Sequence, residues 1–357
     1  MNLDELGGWP AVLRALLDGD DLFTDLAEAA FVDVLEGRAT PAQIAGFAVG
    51  LRAKGETIQE LGGMLDAMLR LAERVTLPDG VHAVDTCGTG GSSHRRVACF
   101  NVSTIAAFVI AGAGGTVCKH GGRAATATSS SGDLLDALGV VIDLGPAGVA
   151  RCVAETGFGF CFAPRYHPAM RHAAPVRKEL GVPTLFNVLG PLANPAGVTR
   201  QVVGVSDHRL ATKMIGVLEA RGAERALVVH GADGLDELTT TTTSTVLELR
   251  DGAIRTYTVD PADLGIPYAE LAELHGGDAA RNVDLTREVL GGETGPHRNI
   301  VVLNAAAGLI AAGVVDDLAA GCEAASAAID SGAAAGVLAN VATVSQAARA
   351  EEPSAAS

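Results

Sequence analysis

The stretch from residue 84 to residue 133 constrains the fold most, because it reads as strand, glycine loop, helix, strand and basic loop in succession. A short strand leads into GTGG at 88–91, and NVST at 101–104 opens an apolar helix. A second strand-like segment at 115–118 leads into KHGGR at 119–123. In a parallel sheet the loops that leave successive strands lie at the same edge. The stretch therefore predicts a unit that binds a phosphorylated ligand by its backbone.

The individual signals differ in strength. Glycines let backbone N–H groups approach phosphate oxygens without a Cβ in the way, and a helix start with Ser103 and Thr104 adds hydroxyls and free N–H groups. GTGG alone fits an ordinary strand–helix turn equally well, and it is neither a Walker A sequence nor a dinucleotide turn. The two cations of KHGGR, Lys119 and Arg123, follow the next strand and favour anion binding over a solvated basic turn.

Two further polar segments lie outside this stretch. DGLDE at 233–237 follows a predicted strand at 226–230, and Asp236 and Glu237 are hard oxygen ligands of the kind that Mg²⁺ takes together with substrate phosphates. An acidic turn is the plain alternative, which the nearby phosphate site disfavours. The segment 165–178 is locally basic in an acidic chain, and an arginine there can bind a carboxylate through two parallel hydrogen bonds.

The order of predicted elements indicates an α/β protein with two parts. Residues 1–76 look all-helical, with helices starting near Asp20 and after Thr40 and Thr57. Strand-like segments then alternate with helices, which predicts a mainly parallel sheet flanked by helices. The proline-rich segment at about 164–198 interrupts the alternation and is assigned with 1–76 to a small helical domain. Residues 77–163 and about 199–350 then form the large α/β domain.

The later strands and helices follow the same alternation. The predicted strands are at 140–144, 159–163, 201–205, 226–230, 245–250 and 253–259, with helices near 132–138, 146–156, 207–221 and 296–348.

Composition limits the partners and the compartment. The formal net charge of −16 opposes binding to nucleic acid, whose phosphates it would repel. Six scattered cysteines without a C-x-x-C motif indicate reduced thiols. The N-terminus lacks a signal-peptide pattern, and the longest apolar runs are too short to span a bilayer. We therefore expect a cytoplasmic protein with neither a membrane nor a nucleic acid as partner.

Taken together, ordered motifs over nearly the whole chain resemble those of anthranilate phosphoribosyltransferase. The resemblance is carried by LRAKGET at 51–57, GTGG at 88–91, N-x-S-T at 101–104, KHG-x-R at 119–123, H-P-x-x-R-H-A-x-x-V-R at 167–177, F-N-x-L-G-P-L-x-N-P at 186–195, DGLDELT at 233–239 and GETGP at 292–296.

The resemblance implies a fold shared with pyrimidine nucleoside phosphorylases and a homodimer formed through the helical domains. It implies Mg²⁺-dependent transfer of phosphoribosyl from phosphoribosyl pyrophosphate (PRPP) to the amine of anthranilate, with release of pyrophosphate, in tryptophan biosynthesis. Such a transfer builds negative charge on the leaving group, which Mg²⁺ and fixed N–H donors stabilise.

The resemblance also assigns residues by matched motif. The PRPP site would comprise Gly88, Thr89, Gly90, Gly91, Ser92, Asn101, Val102, Ser103, Thr104, Lys119, Arg123, Ala124, Thr126 and Ser131. The acceptor site would comprise Gly88, His120, Gly122, His167 and Arg177. The Mg²⁺ ligands would be Ser103, Asp236 and Glu237. No residue is singled out as a general acid or base.

The chain departs from the family pattern at two places. The link between GTGG and N-x-S-T, residues 92–100, is longer and basic, and Gly122 stands where the family has an asparagine that contacts the acceptor. A paralogue that ribosylates a different aromatic acceptor therefore remains an alternative. A non-catalytic binding protein of the same fold is another, which the net charge and the retained Asp236-Glu237 pair disfavour. A nucleoside phosphorylase is disfavoured by the 167–177 and 233–239 motifs.

Overall fold

A single sheet separates two groups of helices. The structure is a computed structural model that describes residues 2–90, 100–123 and 129–352. Within these residues the sheet has seven strands, in the spatial order β3-β2-β1-β4-β5-β6-β7. The first five strands along the chain are parallel, and β6 and β7 form an antiparallel edge. The strands are β1 (Val84–Gly88), β2 (Val117–Gly121), β3 (Phe158–Phe162), β4 (Arg200–Gly204), β5 (Arg225–Gly231), β6 (Ser244–Arg250) and β7 (Ala253–Val259).

The helices of the described residues cover both faces of the sheet. They are α1 (Gly8–Asp18), α2 (Thr24–Leu35), α3 (Pro41–Lys54), α4 (Ile58–Arg70), α5 (Val102–Gly112), α6 (Ser131–Ala137), α7 (Pro146–Thr156), α8 (Ala163–Tyr166), α9 (Ala174–Leu180), α10 (Leu185–Leu192), α11 (His208–Ala220), α12 (Ala279–Leu290), α13 (Pro296–Ala312), α14 (Leu318–Asp330) and α15 (Ala333–Glu351). Short 3-10 helices occur at Leu3–Leu6, Pro168–His172, Pro261–Leu264 and Leu271–Leu274.

The two faces of the sheet bury two separate cores. Val202 and Leu227 face a core formed with α5, α7 and α13–α15. The alternate residues Val203 and Val228 face a second core formed with α1–α4 and α9–α11. This alternation is the two-residue period of a strand covered on both faces. The predicted α/β class, with a mainly parallel sheet flanked by helices, is confirmed.

The helix starts expected at Thr40 and Thr57 are confirmed. The N–H of Gln43 donates to Thr40 Oγ1 at 3.3 Å, and the N–H of Glu60 donates to Thr57 Oγ1 at 3.2 Å, so both helices begin with a capping box. The side chains of α9 and α10, within 164–198, lie in the same core as α1–α4. The residue bounds of the small helical domain and the large α/β domain stay a prediction.

Two local predictions were wrong. Residues 140–144 form no strand, because their apolar side chains pack in the core while the N–H of Val141 donates to Ser345 Oγ on α15 at 3.0 Å. The second helix begins at Thr24 rather than near Asp20, because the N–H of Leu22 donates to Glu60 Oε1 on α4 at 2.8 Å and holds the chain outside the helix.

No single helix among the described residues is long and apolar enough to cross a bilayer. Only α14 and α15 taken together reach that length and composition, and they are bent by 64° relative to each other.

Candidate active site

The strand order creates a crevice between β1 and β4, because the chain continues from β1 toward β2 and from β4 toward β5, in opposite directions along the sheet. In open α/β sheets ligands bind at such a switch point, outside the carboxyl ends of the strands. Gly88 and Gly204 end these two strands and are register partners. A Cβ added at either position would overlap Asp236, with its carboxylate at Gly88 and its backbone oxygen at Gly204. The paired glycines thus allow the acidic loop to lie directly across the strand ends.

The acidic loop and the glycine loop are hydrogen-bonded to each other. The N–H of Gly90 donates to Asp236 Oδ2 at 2.9 Å, and Gly90 has a positive φ of 60°. The N–H of Thr89 donates to the Gly204 oxygen at 2.9 Å. Two motifs that lie far apart in the sequence, GTGG and DGLDE, therefore form one site.

The carboxylates of the acidic loop suit a divalent cation. Burial, together with the neighbouring Asp236 carboxylate, raises the pKa of Glu237 to about 8, and the N–H of Ser103 donates to Glu237. Two adjacent carboxylates that resist simultaneous ionisation are hard oxygen donors that a dication would stabilise. Asp236 and Glu237 therefore fit Mg²⁺, and the Ser103 backbone contacts Glu237.

Lys119 lies beneath this site rather than at its surface. Its side chain is 1% exposed, and its ammonium donates to the Thr86 carbonyl and to Ser103 Oγ, the latter at 3.2 Å. A buried ammonium beside a predicted metal ligand adds positive charge where a polyphosphate would bind.

The start of α5 is held by side chains from two other segments. Thr104 Oγ1 donates to Ser131 Oγ at 2.9 Å, and Asn101 Oδ1 accepts from Asn282 Nδ2 at 2.9 Å. Val102 is buried in the core beside them. Arg123 lies further out, where it pairs with Asp133 at 2.8 Å and with a second carboxylate of α6. The structure therefore groups Asn101, Thr104 and Ser131, whereas Arg123 binds acidic side chains.

Two buried histidines stand at the end of β2. The rings of His120 and His167 lie edge to face with their centroids 5.1 Å apart. His120 Nδ1 lies 3.1 Å from the Gly190 oxygen, and His167 Nε2 lies 2.8 Å from the Ala193 oxygen. A carbonyl only accepts, so each of these nitrogens carries the hydrogen. The opposite nitrogens, His120 Nε2 and His167 Nδ1, have no hydrogen-bond partner among the described residues.

Burial keeps both rings neutral. It lowers the pKa of His120 to about 3 and that of His167 to about 4, with the nearby His167 as a second cause for His120. Each ring therefore offers a lone pair at neutral pH and can accept a hydrogen bond from a ligand N–H or O–H.

A buried carboxylate positions His120. Asp85 is fully buried in β1. Its carboxylate accepts from the backbone N–H of His120 at 3.0 Å and from Asn194 Nδ2 at 2.9 Å. Burial raises the pKa of Asp85, whereas Lys119 and these hydrogen bonds lower it. Sequence reasoning missed this pair. The available signals were a charge inside the apolar strand 84–87 and the asparagine of the 186–195 motif.

Arg177 and Gly122 are the two other residues predicted to contact the acceptor. The guanidinium of Arg177 stands 5.4 Å from the ring centre of Phe186 and has no carboxylate partner among the described residues. Among the described residues, a Cβ at Gly122 would meet only Ala163 at 3.7 Å and Pro164 at 4.0 Å, so these residues leave room for a side chain. The predicted residues Gly91, Ser92, Ala124 and Thr126, and the basic link 92–99, lie outside the described residues.

Comparison with known proteins identifies the family. Residues 80–335 match the glycosyl transferase family a/b domain, and residues 10–72 match the helical bundle domain of the same family. An anthranilate phosphoribosyltransferase from Salinispora arenicola is 51% identical over 337 residues, which are 92% of this chain and 94% of the relative. One from Rhodococcus jostii is also 51% identical, over 93% of this chain and 91% of the relative. This chain belongs to the anthranilate phosphoribosyltransferase family.

Solved structures of anthranilate phosphoribosyltransferases share the fold. The Thermus thermophilus enzyme superposes with a TM-score of 0.87 and 39% identity, covering 94% of this chain and 99% of that one. The Saccharomyces cerevisiae enzyme in complex with PRPP and Mg gives a TM-score of 0.86 and 27% identity, covering 95% and 98%. The resemblance, the phosphoribosyltransferase activity and the use of Mg²⁺ expected from the sequence are confirmed.

Proposed function

We infer that this chain transfers the phosphoribosyl group of PRPP to the amine of anthranilate at the β1–β4 crevice, releasing pyrophosphate. The contact that carries this assignment is the hydrogen bond from Gly90 to Asp236, which joins a phosphate-binding loop to a cation-binding pair. Relatives with about half of their residues identical to this chain are anthranilate phosphoribosyltransferases, which supports the same reaction here.

Ser103, Asp236 and Glu237 would hold Mg²⁺ against the pyrophosphate of PRPP. When bound, the cation neutralises charge that builds on the leaving group. The backbone N–H groups of the glycine loop and the start of α5 bind phosphate oxygens and fix the donor in place. Lys119 contributes its charge from below, through its contact with Ser103.

The acceptor binds on the β2 side of the crevice. Arg177, which lacks an acidic partner among the described residues, would bind the anthranilate carboxylate through its planar guanidinium. His120 Nε2 and His167 Nδ1 supply neutral lone pairs toward an amine N–H. Neither ring needs to be a strong base, because the amine loses its proton late in the transfer.

The decisive experiment is a fluorescence assay of anthranilate consumption with PRPP and Mg²⁺. We expect turnover by the wild-type chain and a loss of at least about 100-fold in kcat for Asp236→Asn, because the metal site loses one charge and its geometry. The matched control is Asp251→Asn, which removes a carboxylate that is 88% exposed and remote from the crevice. Full activity of Asp236→Asn would show the metal assignment to be wrong.

A different aromatic acceptor is the second candidate, and the room at Gly122 is the observation that favours it. A screen of substituted anthranilates and other aromatic amines against PRPP separates the two. Anthranilate having the highest kcat/KM of the set contradicts the second candidate.

We also propose that the protein is a cytoplasmic homodimer formed through its N-terminal helices. Leu17 and Phe23 are 87% and 82% exposed at the ends of α1 and α2, where the family resemblance implies a second copy. Light scattering of Leu17→Glu should give a monomer. Val314→Ser, which alters an apolar residue 42% exposed elsewhere, should stay a dimer. A monomeric wild type contradicts the proposal.

A further inference from the structure

Arg52 crosses the cleft between the helical segment and the loops of the sheet. A cavity of about 600 Å³ has Thr184 and Val188 of the α10 region on one wall and Thr89, Gly90 and Ser206 on the other. Arg52, near the end of α3, spans it: its Nη2 donates to Asp207 Oδ2 at 3.0 Å. This ion pair joins residues 155 positions apart in the chain and ties the two walls together.

The residue that Arg52 contacts is the neighbour of one that holds the glycine loop. The N–H of Ser206 donates to Thr89 Oγ1 at 3.4 Å, and Ser206 Oγ donates to the Gly90 oxygen at 3.2 Å. Gly90 in turn donates to Asp236. A continuous set of contacts therefore runs from α3 through the segment 206–207 to both loops of the site.

A buried carboxylate also contacts the guanidinium of Arg52. Glu56 is 2% exposed, and its Oε2 lies 3.8 Å from Arg52 Nη1 and 3.3 Å from Lys213 Nζ on α11. The Arg52 side chain is 32% exposed and Asp207 is 22% exposed, so water screens this pair less than a surface pair. Such a pair can hold one geometry across the cleft.

We propose that Arg52 is a positioning residue for the glycine loop and that it sets the affinity for PRPP through Asp207 and Ser206. The proposal rests on the proposed function. A loop rich in glycine loses much conformational freedom on binding, and contacts that fix it beforehand lower that cost. Among the described residues, the polar contacts of Arg52 are with Asp207 and Glu56 and not with a proposed acceptor residue, so the effect should fall on PRPP rather than on anthranilate.

The test compares Arg52→Gln with Arg209→Gln. Arg209 binds the same carboxylate through Nε at 2.9 Å and Nη2 at 2.8 Å, but it is 71% exposed and lies on α11, two residues after Asp207. Both variants remove one positive charge next to Asp207. We expect Arg52→Gln to raise KM for PRPP about tenfold and KM for anthranilate less than about twofold, with Arg209→Gln near wild type in both.

Three further measurements keep the result decisive. Arg52→Lys, which keeps the charge but not the planar fork, should fall between wild type and Arg52→Gln. In a double-mutant cycle, Arg52→Gln and Asp207→Asn together should raise KM for PRPP no more than the larger single change. Calorimetric titration with PRPP and Mg²⁺ should show the same loss of affinity, independent of turnover.

Equal effects of Arg52→Gln and Arg209→Gln overturn the positioning role. A parallel rise of both KM values with a lowered Tm also overturns it, since it indicates a general structural role. If the wild type binds PRPP without consuming anthranilate, the proposed acceptor fails, and the titrations still decide the role of Arg52. If the wild type does not bind PRPP, both proposals fail.

Discussion

Replacing Gly204 by alanine tests whether the position of the acidic loop requires a residue without a side chain at the end of β4. The added Cβ would lie only 1.7 Å from the backbone oxygen of Asp236 and 3.3 Å from the Cα of that residue. A backbone atom cannot rotate away as a side chain can, so either the loop or the end of β4 must move. Overpacking of this kind costs about 1–3 kcal/mol of unfolding free energy.

The larger effect is expected on catalysis. Because Asp236 moves with the loop, the metal site and its hydrogen bond to Gly90 shift by about 1 Å, and a misplacement of that size can lower the rate about 100-fold. We expect kcat/KM for PRPP to fall by about that factor and the Mg²⁺ concentration at half-maximal rate to rise.

The assay is anthranilate turnover over a series of Mg²⁺ concentrations, with thermal unfolding measured alongside. Gly336→Ala is the matched control, because a Cβ at that position of α15 would have no heavy atom of the described residues within 4 Å outside its own helix turn. The control should keep wild-type activity and gain slightly in stability. Wild-type kcat/KM and Mg²⁺ dependence in Gly204→Ala would refute the close packing of the loop on β4.

Two further predictions concern the acceptor side. The folded state holds His120 with a pKa of about 3, below the value of about 6.5 in an unfolded chain. Lowering the pH from about 6.5 toward 4 therefore protonates only the unfolded state at this residue. The unfolding free energy of wild type relative to His120→Asn should fall by up to about 1.4 kcal/mol per pH unit. Urea titrations of both proteins at several pH values check this, and an unfolding free energy that changes equally with pH in both proteins contradicts it. Comparing the two proteins cancels the opposite pH dependence that Asp85 and Glu237 contribute to each. Gly122→Asn restores the family residue in a place with room for it and should lower KM for anthranilate several-fold at unchanged Tm. An unchanged KM would mean that position 122 does not face the acceptor.

Local patterns alone predict the phosphate and metal half of the proposed site. Glycines after a strand, hydroxyls at a helix start and adjacent carboxylates on a loop each have a strong local meaning, and the parallel sheet brings their strand ends together. The pairing of Gly88 with Gly204 beneath Asp236 depends on strand order, which no single segment reveals.

Contacts between distant segments account for what the sequence did not reveal. Asn194 reaches Asp85 from 109 positions away, and Arg52 reaches Asp207 from 155 positions away. Residues 140–144 show the opposite error, since their apolar alternation resembles that of a strand but their backbone pairs with a side chain of α15. Alternating apolar residues indicate which side chains are buried, but a segment is a strand only when its backbone hydrogen-bonds to a neighbouring strand.

The second core has a consequence for dividing this chain into pieces. Ile58 of α4 packs so closely on Gly216 of α11 that a Cβ there would collide with it, and the same core reaches Val203 and Val228 of the sheet. Cutting the chain between the matched helical bundle and the matched a/b domain would expose the apolar side chains of this core that α1–α4 cover. The boundary near residues 72–80 therefore separates two family modules in the sequence, whereas side chains from both modules pack in one hydrophobic core.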